Sequence, residues 1–281
     1  MTGTRKLQLI QLDMLVHIDS ICRAHNIPYY LIGGTLIGAV RHQGFIPWDD
    51  DIDIAMHRED YEQFLKICET AVDREKYFLQ TADTDARYRL IYARLRREGT
   101  LYVREGYEHI DMHHGIFIDI FPLDKTPTTK FWRPVFKLII QFSKTALWSP
   151  VGAVSETDRI KRYYYKMLSL LPKCAMLTVI KVATGLCSED VHESLGSPMY
   201  GKLQLETATS SEVHSLRKMR YHATIELLFE GHMFLAPVNY HDILTLRYQG
   251  DYMELPPLEQ RKGTHIATTI DFGDGIVLDR I

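Results

Sequence analysis

Several architectures are excluded by what this chain has little of. Its four cysteines, Cys22, Cys68, Cys174 and Cys187, stand far apart with no Cys-x-x-Cys pair, which argues against a disulfide framework or a zinc cage and for reduced thiols. Cys22 and Cys68 fall on apolar faces of expected helices, where a thiol is a packing group. Charge of one sign is also lacking: 33 Lys and Arg against 36 Asp and Glu leave a net charge of −3. Without a basic stripe there is no electrostatic footprint for nucleic acid, so neither DNA nor RNA is expected as substrate. Charge interrupts every apolar run well before the roughly 18 residues that a membrane helix needs. No secretory leader is visible, because residues 1–6 pass straight into an amphipathic helix striped by Leu7, Ile10, Met14, Ile18 and Ile21. A cytoplasmic protein is expected on that ground. Internal repeats and low-complexity tracts are missing too. A chain of 281 residues can bury a large core, read here as one catalytic core with an insertion.

What is present is concentrated between Gly33 and Met56, GGTLIGAVRHQGFIPWDDDIDIAM. Ile27 to Ile32 is aromatic and β-branched and runs into Gly33-Gly34, so a buried strand and a tight turn are expected. Thr35 is placed to cap a short helix over Thr35 to Val40, whose first N–H groups would favour an anion over the turn. Downstream, Ile52, Ile54 and Met56 alternate with Asp51, Asp53 and Ala55. That alternation puts Asp51 and Asp53 on one strand face, roughly 7 Å apart. Two such carboxylates suit a hard cation, magnesium or manganese, whose shell substrate phosphate would complete. By contrast, acidic triplets such as Asp49-Asp50-Asp51 usually belong to solvated turns.

A third carboxylate lies in Gly115 to Asp124, GIFIDIFPLD. Here Phe117, Asp119 and Phe121 share one face and Ile116, Ile118 and Ile120 the other. A lone charge in such a strand needs compensation by a cation or a donor. Two partners are open to Asp119: a metal shared with Asp51 and Asp53, or one of the arginines between Arg87 and Arg97.

Around these, Arg58 to Ala71 reads as a helix, and Tyr77 to Thr81 and Leu90 to Arg96 as strands. The second of these strands aims Arg94 and Arg96 to one face, where they are candidate phosphate ligands or solvated side chains. Thr224 to Phe229 and Met233 to Pro237 form an expected hairpin about Glu230-Gly231, and Asn239 can cap a helix over Tyr240 to Tyr248. Arg41 and His42, after the glycine turn, are candidates to touch a transferred phosphoryl group. Arginine offers a planar fork, and histidine can donate to a leaving oxygen or hold the loop. Arg261 and His265 are later candidates for the same phosphate site.

The stretch from Phe131 to Leu186 is of a different kind. FWRPVFKLIIQFSKTALWSPVGAV and RIKRYYYKMLSLLPKCAMLTVIKVATGL mix aromatic and aliphatic residues with lysine and arginine. Basic amphipathic helices of this sort can lie in a membrane interface. The alternative is a helical subdomain packed on the catalytic sheet.

The Gly33 to Met56 stretch resembles the signature of the LicD-type phosphotransferases. IDIFPLD at Ile118 to Asp124, FEGHMFLAPVNY at Phe229 to Tyr240 and YQGDYMELPP at Tyr248 to Pro257 fit as well. The matches run from Ile27 to Pro257, with no motif between Phe131 and Ser197. Gln249 is inserted where the family tends to read Tyr-Gly-Asp, and Ala236 precedes Pro237 where another small or apolar residue is usual. The resemblance implies an α+β fold with a nucleotidyltransferase-like mixed sheet, flanking helices and a helical insertion. Residues 1–130 would be the catalytic core, 131–197 the basic, aromatic insertion, and 198–281 the part that completes the core. It implies metal-dependent transfer of a phospho-group, phosphocholine first, with ribitol and glycerol phosphates open. The donor would be CDP-linked, and the acceptor a cell-surface glycan such as a lipopolysaccharide or teichoic acid precursor, lipid-linked in one reading. A lipid-linked acceptor would give residues 131–187 a reason to make peripheral contact with the inner face of the cell membrane. Asp51, Asp53 and Asp119 would hold metal, with Asp119 alternatively taking the proton of the attacking hydroxyl. Gly33, Gly34 and Thr35 would position phosphate, and Trp48 and Phe45 would shape the nucleotide or choline pocket or anchor their loop. Three other activities use similar parts: nucleotidyl transfer to a small molecule or protein, Asp-x-Asp glycosyl transfer, and non-catalytic metal binding.

Overall fold

Helix α1 (Gly3–Ala24) starts where the Thr2 hydroxyl accepts the Arg5 amide. Its stripe of Leu7, Met14, Leu15, Ile18, Ile21 and Cys22 is buried, as helical spacing of apolar residues demands. Burial pushes both core thiols up, Cys68 to about 12, so Cys22 and Cys68 pack rather than react. The computed structural model describes residues 2–127, 129, 131–187, 192–193, 195, 221–248, 252–263 and 267–279.

The central sheet is mixed. Strands β1 (Tyr30–Leu31), β2 (Asp53–His57), β3 (Tyr77–Gln80), β4 (Ala93–Arg97) and β6 (Phe117–Lys125) stand in the order β1-β2-β6-β4-β3. Only β2 and β6 run parallel along this path. A parallel pair needs a long crossover, which here contains α3 (Arg58–Ala71), β3, β4 and β5 (Leu101–Arg104). β7 (His192–Glu193) pairs with the end of β6.

One sheet face, with Ile52, Ile54, Met56, Ile118 and Ile120, is packed into the main core, where α1 and α3 cover it. The opposite face changes character along its length. It carries Asp53, Arg94 and Asp119 at one end, then Ala55, Tyr92 and Phe121, with Tyr92 and Phe121 at 4.3 Å. The apolar part is closed by Tyr30, Ile32, Tyr221 and Ile243.

A second, antiparallel sheet joins β5 to β10 (Ala267–Asp271) and β11 (Val277–Asp279). Strands β8 (Thr224–Phe229) and β9 (His232–Pro237) form the expected hairpin, with φ of 53° at Glu230 and 80° at Gly231. Two positive φ values match the twist that a two-residue hairpin turn requires. Helix α2 (Gly33–His42) exceeds the expected Thr35 to Val40, whereas Ile27 to Ile32 contributes only the two residues of β1 to the sheet. α7 (Tyr240–Tyr248) follows the hairpin.

Helices α4 (Trp132–Ser155), α5 (Arg159–Leu168) and α6 (Lys173–Gly185) pack on one another. Phe136, Ile140, Leu147, Ile180 and Ala183 form their own apolar cluster. The Lys173 ammonium ties this unit to the β3–β4 connection by donating to the carbonyls of Ala82 (2.7 Å), Ala86 (3.0 Å) and Tyr88 (3.3 Å).

Candidate active site

Asp53 opens β2, and its register partner on the parallel strand β6 is Asp119. Neighbouring strands lie about 4.8 Å apart, so the two carboxylates leave the same face side by side. Arg94 on β4 is the register partner of Asp119 on its other side. Its Nε donates to Oδ1 at 2.6 Å and its Nη2 to Oδ2 at 3.1 Å, while the guanidinium lies 3.9 Å from the centre of the Phe117 ring. Of the two partners left open for Asp119, the structure shows the arginine of the 87–97 stretch, with Asp53 in register on its other side.

The same geometry corrects the expectation for Arg94 and Arg96 as phosphate ligands. Each is 1% exposed. Arg94 gives its remaining contact to the Tyr92 hydroxyl at 3.3 Å. Arg96 donates to Gln80 Oε1 and to the Gly115 carbonyl, both at 2.7 Å. These donors are turned inward because the sheet face carrying them is covered, which a strand read in isolation does not reveal.

The Asp49-Asp50 turn, expected to be solvated, is buried instead, with exposures of 9% and 8%. Two buried glutamines of α1 hold its backbone. Gln8 Nε2 donates to the Asp49 carbonyl and Gln11 Nε2 to the Asp50 carbonyl, each at 2.9 Å, and the Tyr102 hydroxyl reaches Asp50 Oδ2 at 3.2 Å. One carboxylate oxygen from each of Asp49, Asp50 and Asp51 lies within 4.8 Å of the others.

The glycine pair fits against these acids. Gly33 has φ of +59°, and a Cβ there would stand 3.1 Å from Asp53 Oδ2. A Cβ on Gly34 would meet Asp49 Oδ2 at 2.5 Å. Side-chain-free positions thus let two carboxylates approach the N-terminal turn of α2, whose free N–H groups and dipole favour negative charge. Thr35 lies inside that turn rather than at its cap, which is Ile32, and its hydroxyl accepts the Asp53 amide at 2.9 Å.

Electrostatics define what this cluster can hold. Burial, followed by the charge of neighbouring aspartates, pushes Asp51 and Asp53 well above the usual carboxylate range. Burial and Asp50 push Asp49 up to about 7. Opposing them at Asp53 are the guanidinium groups of Arg94 and, from α7, Arg247. An all-oxygen donor set with surplus negative charge fits a hard divalent cation. Sequence reasoning missed Asp49, Asp50 and Arg247 as parts of this site; buried-face glutamines at Gln8 and Gln11 were the available hint.

Arg41 and His42 sit at the other end of α2, about 12 Å from Gly33 along the axis. Arg41 Nη1 donates to the carbonyls of Tyr252 at 2.8 Å and Glu254 at 2.9 Å. Burial and the nearby Arg261 lower its pKa, and burial and Arg41 lower that of His42, favouring a neutral imidazole. The Arg261 guanidinium covers the Trp48 ring at 5.4 Å, so that aromatic face already has a cation. Phe45 packs on Phe229 at 4.9 Å and anchors its loop. Tyr248 of α7 connects the two regions: burial and the Asp53 and Asp49 charges push its hydroxyl up to about 12. His265, Gln249, Gly250 and Asp251 lie outside the described residues.

Comparison with known proteins bears on the same residues. The model of the LicD/FKTN/FKRP nucleotidyltransferase domain matches residues 26–147, a span that contains Asp49, Asp50, Asp51, Asp53 and Asp119. The human ribitol 5-phosphate transferase FKRP is 41% identical over 44 residues, 16% of this chain and 9% of that one. An uncharacterised protein of Rickettsia prowazekii is 48% identical over 59 residues, 21% of each chain. The lipopolysaccharide cholinephosphotransferase LicD of Haemophilus influenzae is 32% identical over 271 residues, covering 93% of this chain and 96% of the relative. Likeness that runs the length of both chains, beyond the matched domain and through the helices that carry no motif, means that this chain belongs to the LicD family.

Proposed function

We propose that this protein is a metal-dependent cholinephosphotransferase that moves phosphocholine from CDP-choline onto a sugar hydroxyl of lipopolysaccharide or its lipid-linked precursor. The reaction breaks the phosphoanhydride bond of the donor, forms a phosphodiester with the acceptor oxygen, and releases CMP. The reading is carried by the convergence of Asp49, Asp50, Asp51, Asp53 and Asp119 with too little positive charge beside them. Similarity along the whole chain to a lipopolysaccharide cholinephosphotransferase supports the choice of phospho-group and acceptor.

Asp51 and Asp53, with Asp49 and Asp50 behind them, would hold magnesium or manganese. A bound divalent cation supplies charge neutralisation at the breaking anhydride and lowers the pKa of the incoming hydroxyl. Asp119, fixed by the two-point contact with Arg94, is assigned to accept the proton of that hydroxyl. The small residues Gly33 and Gly34 let the Asp53 and Asp49 carboxylates sit against the first turn of α2, so a cation held there would bring the donor phosphates to that turn. Arg41, Arg261 and Trp48 suit an anionic or planar part of the donor, which fits the CMP half; a quaternary ammonium would meet the guanidinium on Trp48.

The test is a donor screen. Purified protein with magnesium is offered CDP-choline, CDP-ribitol, CDP-glycerol and nucleotide sugars together with lipopolysaccharide, and the released nucleotide and product mass are followed. CMP from CDP-choline is the expected result. Pyrophosphate would indicate nucleotidyl transfer, release of a nucleoside diphosphate from a nucleotide sugar would indicate glycosyl transfer, and either would overturn the proposal.

A further inference from the structure

We propose that helices α4, α5 and α6 present a basic and apolar face that docks on an anionic lipid bilayer. More than half of the exposed large apolar side chains among the described residues fall between Phe131 and Leu186. They form stripes at helical spacing. On α4 and the residue before it these are Phe131, Val135, Leu138 and Phe142, with Leu138 at 70% exposure. On α5 they are Ile160, Tyr163, Tyr164 and Met167, with Ile160 at 82%. On α6 and just after it, Val179, Val182 and Leu186 continue the pattern.

α5 shows the design most clearly. Of its ten residues only Leu168 is buried, and Tyr165 turns inward onto Trp148 at 5.2 Å. Those two contacts fasten the helix, and the rest faces outward. A stable monomer rarely leaves contiguous apolar area of this kind uncovered.

Charge selects the partner. Residues 131–187 hold nine lysines and arginines and two acids, although the chain as a whole carries −3. Arg159, Lys161, Arg162 and Lys166 of α5 are all exposed beside the apolar stripe. A second copy of this face would bring like charge onto like charge, whereas anionic headgroups complement the bases and acyl chains take the apolar residues. Among the described residues no single helix is long and apolar enough to cross a membrane, and α5 and α6 reach that length and apolarity only as a pair bent by 81°; the proposed contact is with the bilayer surface. The inference rests on the surface itself, and on the proposed acceptor only for why a bilayer would be useful.

Vesicle co-sedimentation of the full chain tests it. Wild-type protein is expected to bind phosphatidylcholine vesicles containing phosphatidylglycerol at low salt, and to bind more weakly at high salt or on phosphatidylcholine alone. The Lys161→Glu, Arg162→Glu, Lys166→Glu triple variant should lose at least tenfold in affinity, and Leu138→Ser with Ile160→Ser a comparable amount. CMP release with a delipidated, water-soluble saccharide acceptor should be unchanged in both, which separates docking from catalysis. Absence of binding to anionic vesicles at low salt would overturn the proposal. So would light scattering that shows a dimer dispersed by these same substitutions, because the face would then be an interface between copies.

Discussion

Asp53 and Asp119 stand in direct register on the two parallel strands of the central sheet, one beside the acidic Asp49-Asp50-Asp51 turn and the other clasped by Arg94. The pair joins a site of surplus negative charge to a site of compensated charge across a single strand spacing. Replacing Asp51 or Asp53 with asparagine removes repulsion among desolvated acids while deleting a candidate ligand. Turnover should fall at least about a hundredfold, while resistance of the metal-free protein to urea rises. Parallel measurements of CMP release and urea midpoint check this; wild-type turnover in either variant would remove the ligand assignment.

Arg94 is predicted to matter for stability before chemistry. Arg94→Met strands the Asp119 carboxylate, which is 3% exposed, without its partner, a change that costs about 3–5 kcal/mol in comparable buried pairs. Arg94→Met combined with Asp119→Leu should recover much of that loss and remain inactive. Equal destabilisation by the single and double variants, in urea titrations, would contradict the pairing.

Much of this arrangement could be read along the chain because its signals are local. The Asp-Ile alternation through Asp53, the helix Arg58–Ala71 and the turn at Glu230-Gly231 each depend on residues within a few positions of one another. The burial of Asp49 and Asp50 was hidden because their clamps, Gln8 and Gln11, come from about forty positions away. Arg94 and Arg96 read equally well as ligands or as solvated side chains until the register against β6 and the cover on that face are known. The β5–β10 pairing joins segments far apart in sequence, and nothing in either segment names the other.

Gly34 is expected to tolerate no side chain. An alanine methyl would press on Asp49 Oδ2 from 2.5 Å, so Gly34→Ala must shift either the carboxylate or the first turn of α2. Turnover is expected to drop at least about tenfold, since misplacement of positioning groups by an ångström is felt strongly in rate. A weakened magnesium response by thermal shift, with circular dichroism unchanged, would trace the effect to the site.

Lys144 gives a pH dependence with a definite sign. Burial lowers its ammonium from 10.5 to about 8, and it donates to the Leu195 carbonyl at 2.7 Å. Between those two values the unfolded chain binds the proton that the folded chain has released, so the Lys144 contribution to stability rises with pH across that window. Below about pH 8 the buried charge is a full penalty, on the order of 1–3 kcal/mol after allowance for solvent screening. Lys144→Met should be more stable than wild type at neutral pH, with the difference shrinking as pH approaches 10.5. Urea titrations of both proteins from neutral to alkaline pH measure it; a constant difference would rule out the titration.

Magnesium should stabilise the folded protein, because a cation that binds only the native cluster shifts unfolding by mass action. At a hundredfold excess over Kd the gain is about 2.7 kcal/mol, which for a chain of this size raises Tm by about 5 °C. The ion must displace protons from Asp49, Asp51 and Asp53, all of which are held above the usual carboxylate range. Its effect is therefore expected to be small near pH 5 and to grow as pH rises past about 7, the value reached by Asp49. Asp53→Asn should flatten the response at every pH. Asp119→Asn separates the two roles open to that residue: loss of turnover with the magnesium shift retained identifies Asp119 as the proton acceptor, and loss of both makes it a ligand.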